Sequence, residues 1–178
     1  MEGEAANSEI AADGVVRLRP LQTVDLASHA AGHDGEIVRW VNDGVVSTDD
    51  QHLAWLRRQH RAWQDGEDVV DLGVEDVATG VLTGIVGLQR ALPYLAEGQV
   101  NLTYSVYPDH RHKGLACRAV RLAMAVAATR WRVREFVIRC DPANTASAAV
   151  ARRLGFSYLG PRHEPEGRLD WYVHRAAS

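Results

Sequence analysis

The sequence predicts a mixed α/β fold in one domain, and three observations lead there. Segments with two-residue alternation lie on both sides of a long segment with helical periodicity. The chain's 178 residues suit one domain with a sizeable core. After residue 14 no internal repeat, low-complexity tract or Pro/Ser-rich linker marks a second unit.

Val15–Arg19 is the first predicted strand, stopped by Pro20, which has no N–H for a sheet ladder. Thr23–Ala31 is a short helical candidate, and Gly32, Gly35 and the turn Asn42-Asp43-Gly44 break the stretch between it and Thr48. Thr48 and Gln51 have capping-box spacing. Leu53, Leu56, His60 and Trp63 then recur at helical spacing, which predicts an amphipathic helix over Thr48–Gln64. Asp68–Glu75 and Thr83–Gln89 are strands around the turn Ala78-Thr79-Gly80. The fourth strand, Gln99–Tyr107, puts Val100, Leu102, Tyr104 and Val106 on one face and Asn101, Thr103 and Ser105 on the other, and Pro108 ends it. Lys113–Arg130 is the long central helix, with Leu115, Ala119, Leu122, Ala123 and Val126 as its apolar stripe. Arg134–Cys140 is the fifth strand. Ser147–Leu154 is a short helix closed by Gly155, and Phe156–Gly160 and Asp170–His174 are the last two strands. Residues 1–13, acidic and rich in small side chains, read as a poorly ordered tail before a single domain over 14–178.

Composition removes several function classes. No apolar run approaches the ~18–20 residues of a membrane span. The N-terminal stretch has neither the basic nor the apolar region of a signal peptide, and Cys117 and Cys140 make no disulfide framework. The expected compartment is therefore the cytoplasm. Net charge is −3, yet Asp109–Arg139 carries eight Lys or Arg against two acids, while Asp65–Asp76 holds six acids and no base. A basic segment in an acidic chain suits one local anionic ligand better than nucleic acid, although solvated helix faces would give the same charge. His29 and His33 stand four apart, but Ala30 occupies the place of the glutamate in a zinc-protease helix and Gly32 breaks the turn, so no metal is expected.

The segment from Val106 to Ala116 carries the chemistry. A strand stops, a short basic loop turns at Gly114, and a long helix starts. Free N–H groups and the helix dipole make such a start an anion site suited to phosphate. An ordinary strand–turn–helix with surface bases is the competing reading. Neither a Walker A loop nor a GxGxxG fingerprint occurs.

Arg111-x-x-Gly114-x-Ala116 resembles the Gln/Arg-x-x-Gly-x-Gly/Ala signature of the GNAT superfamily of N-acetyltransferases, and it stands between the fourth strand and the long helix, where that signature belongs. Downstream, Asn144, Ser147, Val150 and Gly155-Phe156 come after a strand in the pattern of the RimJ/RimL-like branch. Leu18-Arg19-Pro20-Leu21 with Asp25 fits that branch as well. The resemblance covers about residues 15–176. It implies a mixed, mostly antiparallel twisted sheet of six to seven strands with about four helices, strands four and five splaying apart. Acetyl-CoA is the implied cosubstrate, with no metal. Its pyrophosphate would lie on Arg111, His112, Lys113, Gly114, Leu115 and Ala116. Its pantetheine arm would run along Tyr104, Ser105 and Val106, by addition to an open strand edge. Asn144 would contact that arm, or else cap the following helix.

Many members carry a proton-donating tyrosine four residues before the Gly-Phe pair, where this chain has Ala151. The branch pattern instead implies Ser147 as the thiolate's proton donor, with a helix N-cap as its plain alternative. For the base it implies a glutamate after the sixth strand, Glu164 or Glu166, and either could equally be a solvated loop acid. The implied function is acetyl transfer to a primary amine, a protein or peptide N-terminus first. A small-molecule amine such as an antibiotic or polyamine is the alternative, and an inactive CoA-binding regulatory module is the rival from another class. Relatives often form homodimers; neither nucleic acid nor membrane is an expected partner.

Overall fold

The computed structural model describes residues 9–165 and 167–176. Its strands are β1 (Ala11–Ala12), β2 (Val16–Pro20), β3 (Val69–Asp76), β4 (Leu82–Gln89), β5 (Gln99–Val106), β6 (Glu135–Cys140), β7 (Ser157–Glu164) and β8 (Gly167–Arg175). They form one sheet in the order β1-β2-β3-β4-β5-β6-β8-β7. Every neighbouring pair is antiparallel except β5 with β6. The helices are α1 (Leu26–Gly32), α2 (Gly35–Val41), α3 (Asp49–Asp65), α4 (Leu115–Arg130) and α5 (Thr145–Arg153).

Alternation along β5 sorts the two layers. Val100 and Leu102 face α4, whose Leu115, Ala119, Ala123 and Val126 share one buried cluster with them. On the opposite face Leu21, Ile37, Leu56, Ile85 and Tyr107 form a second cluster beneath α1–α3. The capping box at α3 closes as its spacing requires, with Thr48 Oγ1 accepting from Gln51 N–H and Gln51 Oε1 accepting from Thr48 N–H at 2.8 Å. A buried ion network ties the first strand down. Arg19 donates two hydrogen bonds to Asp25 at 2.8 and 2.7 Å, and both Arg17 and Arg19 pair with Glu75 across β2 and β3.

The gap between the fourth and fifth predicted strands, here β5 and β6, has a simple origin. The two pair only at Gln99↔Glu135, Val100↔Phe136 and Asn101↔Val137. Beyond that point β5 stays bonded to β4 through Val106, and β6 stays bonded to β8 through Cys140. Each strand keeps to its own neighbour, so their facing edges part.

The structure departs from the sequence expectations in four places. Of the predicted tail over 1–13, residues 1–8 lie outside the described residues, whereas Ala11 and Ala12 pair with Leu18 and Arg17, and Asp13 pairs with Arg118 at 2.7 Å. Two-residue pairing leaves no periodic signal. The predicted helix over Thr23–Ala31 is a 3-10 turn (Thr23–Asp25) followed by α1. The α2 helix was not expected between Gly32 and the Asn42 turn, yet Asp34 caps it by accepting from Ile37 N–H at 3.1 Å. The last two strands run longer than predicted, so Glu164 ends a strand and does not lie in the loop after it.

Candidate active site

The loop after β5 builds an anion cradle out of backbone. Pro108–His110 makes one 3-10 turn, His112 and Gly114 take φ of 62° and 76°, and Gly114 is the N-cap of α4. The left-handed conformation at Gly114 favours glycine, and the space where its side chain would stand is open. Among the described residues none accepts a hydrogen bond from the N–H of His112, Lys113, Gly114, Leu115 or Ala116. These donors are grouped at a helix N-terminus, as a phosphate requires. The Arg111 N–H differs, since it bonds Pro108 O at 3.2 Å. The Arg111 side chain turns back onto the scaffold: Nε donates to Val106 O, and the guanidinium grips Asp34 through two bonds of 2.7 and 2.8 Å. That grip holds the Asp34 carboxyl below the usual carboxylate range. Arg111 thus fixes the loop against α2, and Lys113 folds onto Asp109 O.

The parted edges present Tyr104, Ser105 and Val106 of β5 to the gap. On the α4 side, the hydroxyl oxygens of Tyr104 and Ser147 are 2.9 Å apart, and Tyr104 Oη also donates to Ser147 O at 3.0 Å. Burial pushes the Tyr104 phenol above its usual pKa, so it stays protonated. The α5 cap is Asn144, whose Oδ1 accepts from Ser147 N–H at 3.0 Å. The Ser147 hydroxyl is therefore not needed for capping. Ala151 is fully buried against the core.

On the opposite face, β3, β4 and β5 line up Asp71, Gly87 and Thr103 in register. A methyl group on Gly87 would lie 2.2 Å from Thr103 Oγ1 and 2.3 Å from Asp71 Oδ1, so both oxygens lean over the space that glycine leaves. Burial pushes the Asp71 carboxyl up to about 6, with Arg58 opposing the rise. Next to this row, where the strands part, Asn101 Nδ2 donates to Gln89 Oε1 at 2.8 Å. Buried Asn101 Oδ1 and Arg139 Nε have no partner among the described residues. Val137, opposite Asn101, and Arg139 face the same side of β6. Arg139 stacks over Tyr94 at 3.5 Å and pairs with Glu164, which also accepts from Trp171 Nε1 at 2.5 Å. Both carboxylate oxygens of Glu164 are thereby engaged. Glu166 lies outside the described residues.

The sequence pointed to the loop, the β5 edge, Asn144 and Ser147, which the fold gathers around the gap. The Tyr104 hydroxyl, Asp71, Asn101 and Arg139 were not singled out from the sequence as site groups. An acid amid apolar strand residues was the one available cue, at Asp71.

Residues 16–157 match the family described as the acetyltransferase (GNAT) domain. The chain belongs to that family. Spermidine N(1)-acetyltransferase of Escherichia coli K12 is 25% identical over 154 residues, covering 82% of this chain and 74% of its own. The solved structure of RimL, a ribosomal L7/L12 alpha-N-protein acetyltransferase, in complex with coenzyme A matches with a TM-score of 0.79 at 17% identity, covering 94% of this chain and 98% of that one. An aminoglycoside acetyltransferase in complex with coenzyme A matches at 0.75 and 19%, covering 90% and 94%. These two are likenesses of fold. As a GNAT acetyltransferase, the chain is an enzyme that moves an acetyl group from acetyl-CoA to an amine. The free N–H groups of the loop and the open edge of β5 suit that cosubstrate.

Proposed function

We propose that the acceptor is the α-amine of a peptide or protein N-terminus. The observation carrying this reading is a pair of buried atoms on one face of the sheet, Asn101 Oδ1 and Arg139 Nε, that have no partner among the described residues. An unmet acceptor and an unmet donor on the same face suit a ligand that offers both, as an N-terminal residue does with its amine N–H and first carbonyl. A protonated polyamine brings donors only and offers no acceptor to Arg139 Nε.

The chemistry is divided between the two sides of the gap. Asp71 acts as general base through a water held over Gly87 beside Thr103, since a carboxyl titrating near 6 accepts a proton at neutral pH more readily than an ordinary one. The freed amine attacks the thioester carbonyl, whose oxygen becomes the oxyanion, and the carbon–sulfur bond breaks as the tetrahedral species collapses. Ser147 gives its proton to the departing thiolate and takes one from Tyr104, whose hydroxyl is 2.9 Å away and which regains its proton from solvent as the thiol product leaves. Loop N–H groups from His112 to Ala116 hold the pyrophosphate, with Asn144 near the pantetheine arm. Glu164 supports Arg139.

The test is an acceptor panel with acetyl-CoA: N-terminal peptides of varied first residue, polyamines and aminoglycosides. The reading expects peptides to give a kcat/KM at least ~100-fold above the others. Preferential turnover of spermidine or an aminoglycoside would overturn it.

A further inference from the structure

Three histidines meet beneath the acceptor-side helices, where acetyl transfer does not call for them. His29 lies in the last turn of α1, His33 is that helix's C-cap four residues on, and His52 stands in the first turn of α3. Their candidate ligand atoms all lie within 4.8 Å of one another. The rings surround a common point and do not stack in file: His29 is tilted 76° to His33 and 88° to His52, with centroids 4.4 and 4.9 Å apart, and His33 stands 4.6 Å from His52. Trp55 stacks flat on His29 at 4.7 Å, walling off one side.

Outer partners already orient two of the three rings. His33 Nδ1 is 2.8 Å from the carbonyl oxygen of His29. A carbonyl only accepts, so the proton is on Nδ1 and Nε2 keeps its lone pair. His29 Nδ1 is 2.8 Å from Tyr107 Oη. With Nδ1–H donating to that oxygen, the His29 Nε2 lone pair is free as well. The His52 ring hydrogen-bonds to no described residue, and its backbone N–H donates to Thr48 O. Rings held at one nitrogen by a carbonyl or hydroxyl and open at the other are the arrangement that metal-ligating histidines adopt.

We infer that His29, His33 and His52 bind one zinc-class divalent cation, with water as the fourth ligand. Bonds of about 2.0–2.1 Å place tetrahedral ligands about 3.3 Å apart, so small ring rotations close the site. An all-imidazole set suits zinc and its neighbours and does not suit magnesium or calcium, which take oxygen. The ion would join α1 to α3 over Tyr107, the residue between β5 and the phosphate loop. It would act as a clamp on the acceptor half, apart from the acyl-transfer groups.

The test uses the tag-free full chain, stripped of metal, with Zn²⁺ alone titrated against a chromogenic chelator and Co²⁺ as a spectroscopic substitute. Expected are one ion per chain at a Kd of ~1 μM or below, four-coordinate Co²⁺ visible bands, and a raised Tm. His33→Gln and His52→Gln should each weaken Zn²⁺ at least ~100-fold, whereas His60→Gln should leave it unchanged. Less than one ion per chain, absent Co²⁺ bands, or binding that survives either ligand substitution would overturn the site. The Co²⁺ spectrum needs no variant, so the test holds if a substitution fails to fold. Acetyl-CoA titration is independent of these outcomes.

Discussion

Replacing Asp71 by Asn separates the function of that carboxylate from its cost. In the fold the carboxyl titrates near 6, against an ordinary value of 3.8, because burial disfavours its charged form. A folded pKa above the unfolded one means that the native state binds the proton more tightly. The associated stability is complete below about 3.8 and is lost as pH rises through about 6. At about 1.4 kcal/mol per tenfold change in proton affinity, the charged side chain costs about 2–3 kcal/mol at pH 8. Asn resembles the neutral form. Asp71→Asn should therefore be more stable than wild type at pH 8, by about 5–10 °C in Tm, and equal to it near pH 3. Activity should move the other way. kcat/KM should fall ~100-fold or more, and the acidic limb of its pH profile near 6 should disappear. Activity within about threefold of wild type with the limb intact would refute Asp71 as the base. A variant less stable at pH 8 would refute the burial reasoning.

Three further outcomes test other parts of the site. Ser147→Ala should lower kcat about 100-fold with acetyl-CoA affinity retained, and adding Tyr104→Phe should cost little more, because the two hydroxyls act in series; additive losses in the double variant would contradict that relay. Arg111→Met removes the grip on Asp34, so the Kd for acetyl-CoA should rise about tenfold with kcat unchanged, as measured by titration and saturation kinetics. Glu75→Gln leaves buried Arg19 and half-buried Arg17 short of a counter-charge and should destabilise the fold by about 3–5 kcal/mol in denaturant unfolding.

Local chemistry made much of this legible in the sequence. The Thr48–Gln51 box, the β5 alternation and the Gly114 turn each depend on neighbours a few residues away, and each formed where its spacing indicated. Features set by distant partners were hidden. The α2 helix hung on Asp34, whose second role is to receive Arg111 from a loop far along the chain. Tyr104 was expected on the apolar face of β5 and at the pantetheine arm by its strand position, but its hydroxyl acquires meaning only once α5 brings Ser147 to it. Asp71 gains its character from Gly87 on the adjacent strand. The third histidine of the cluster comes from a helix that the sequence does not connect with His29 and His33. Ser147 lost its competing role as a cap because Asn144 fills it.

The most direct test of the phosphate cradle is calorimetric titration of acetyl-CoA into wild type and Gly114→Glu. The substitution puts a carboxylate and a strained left-handed residue where the free N–H groups converge, while the open space before Gly114 spares the core. Micromolar binding by wild type, lost in a variant that remains folded, is the predicted result. Equal binding by both proteins would contradict the assignment of the pyrophosphate to this loop.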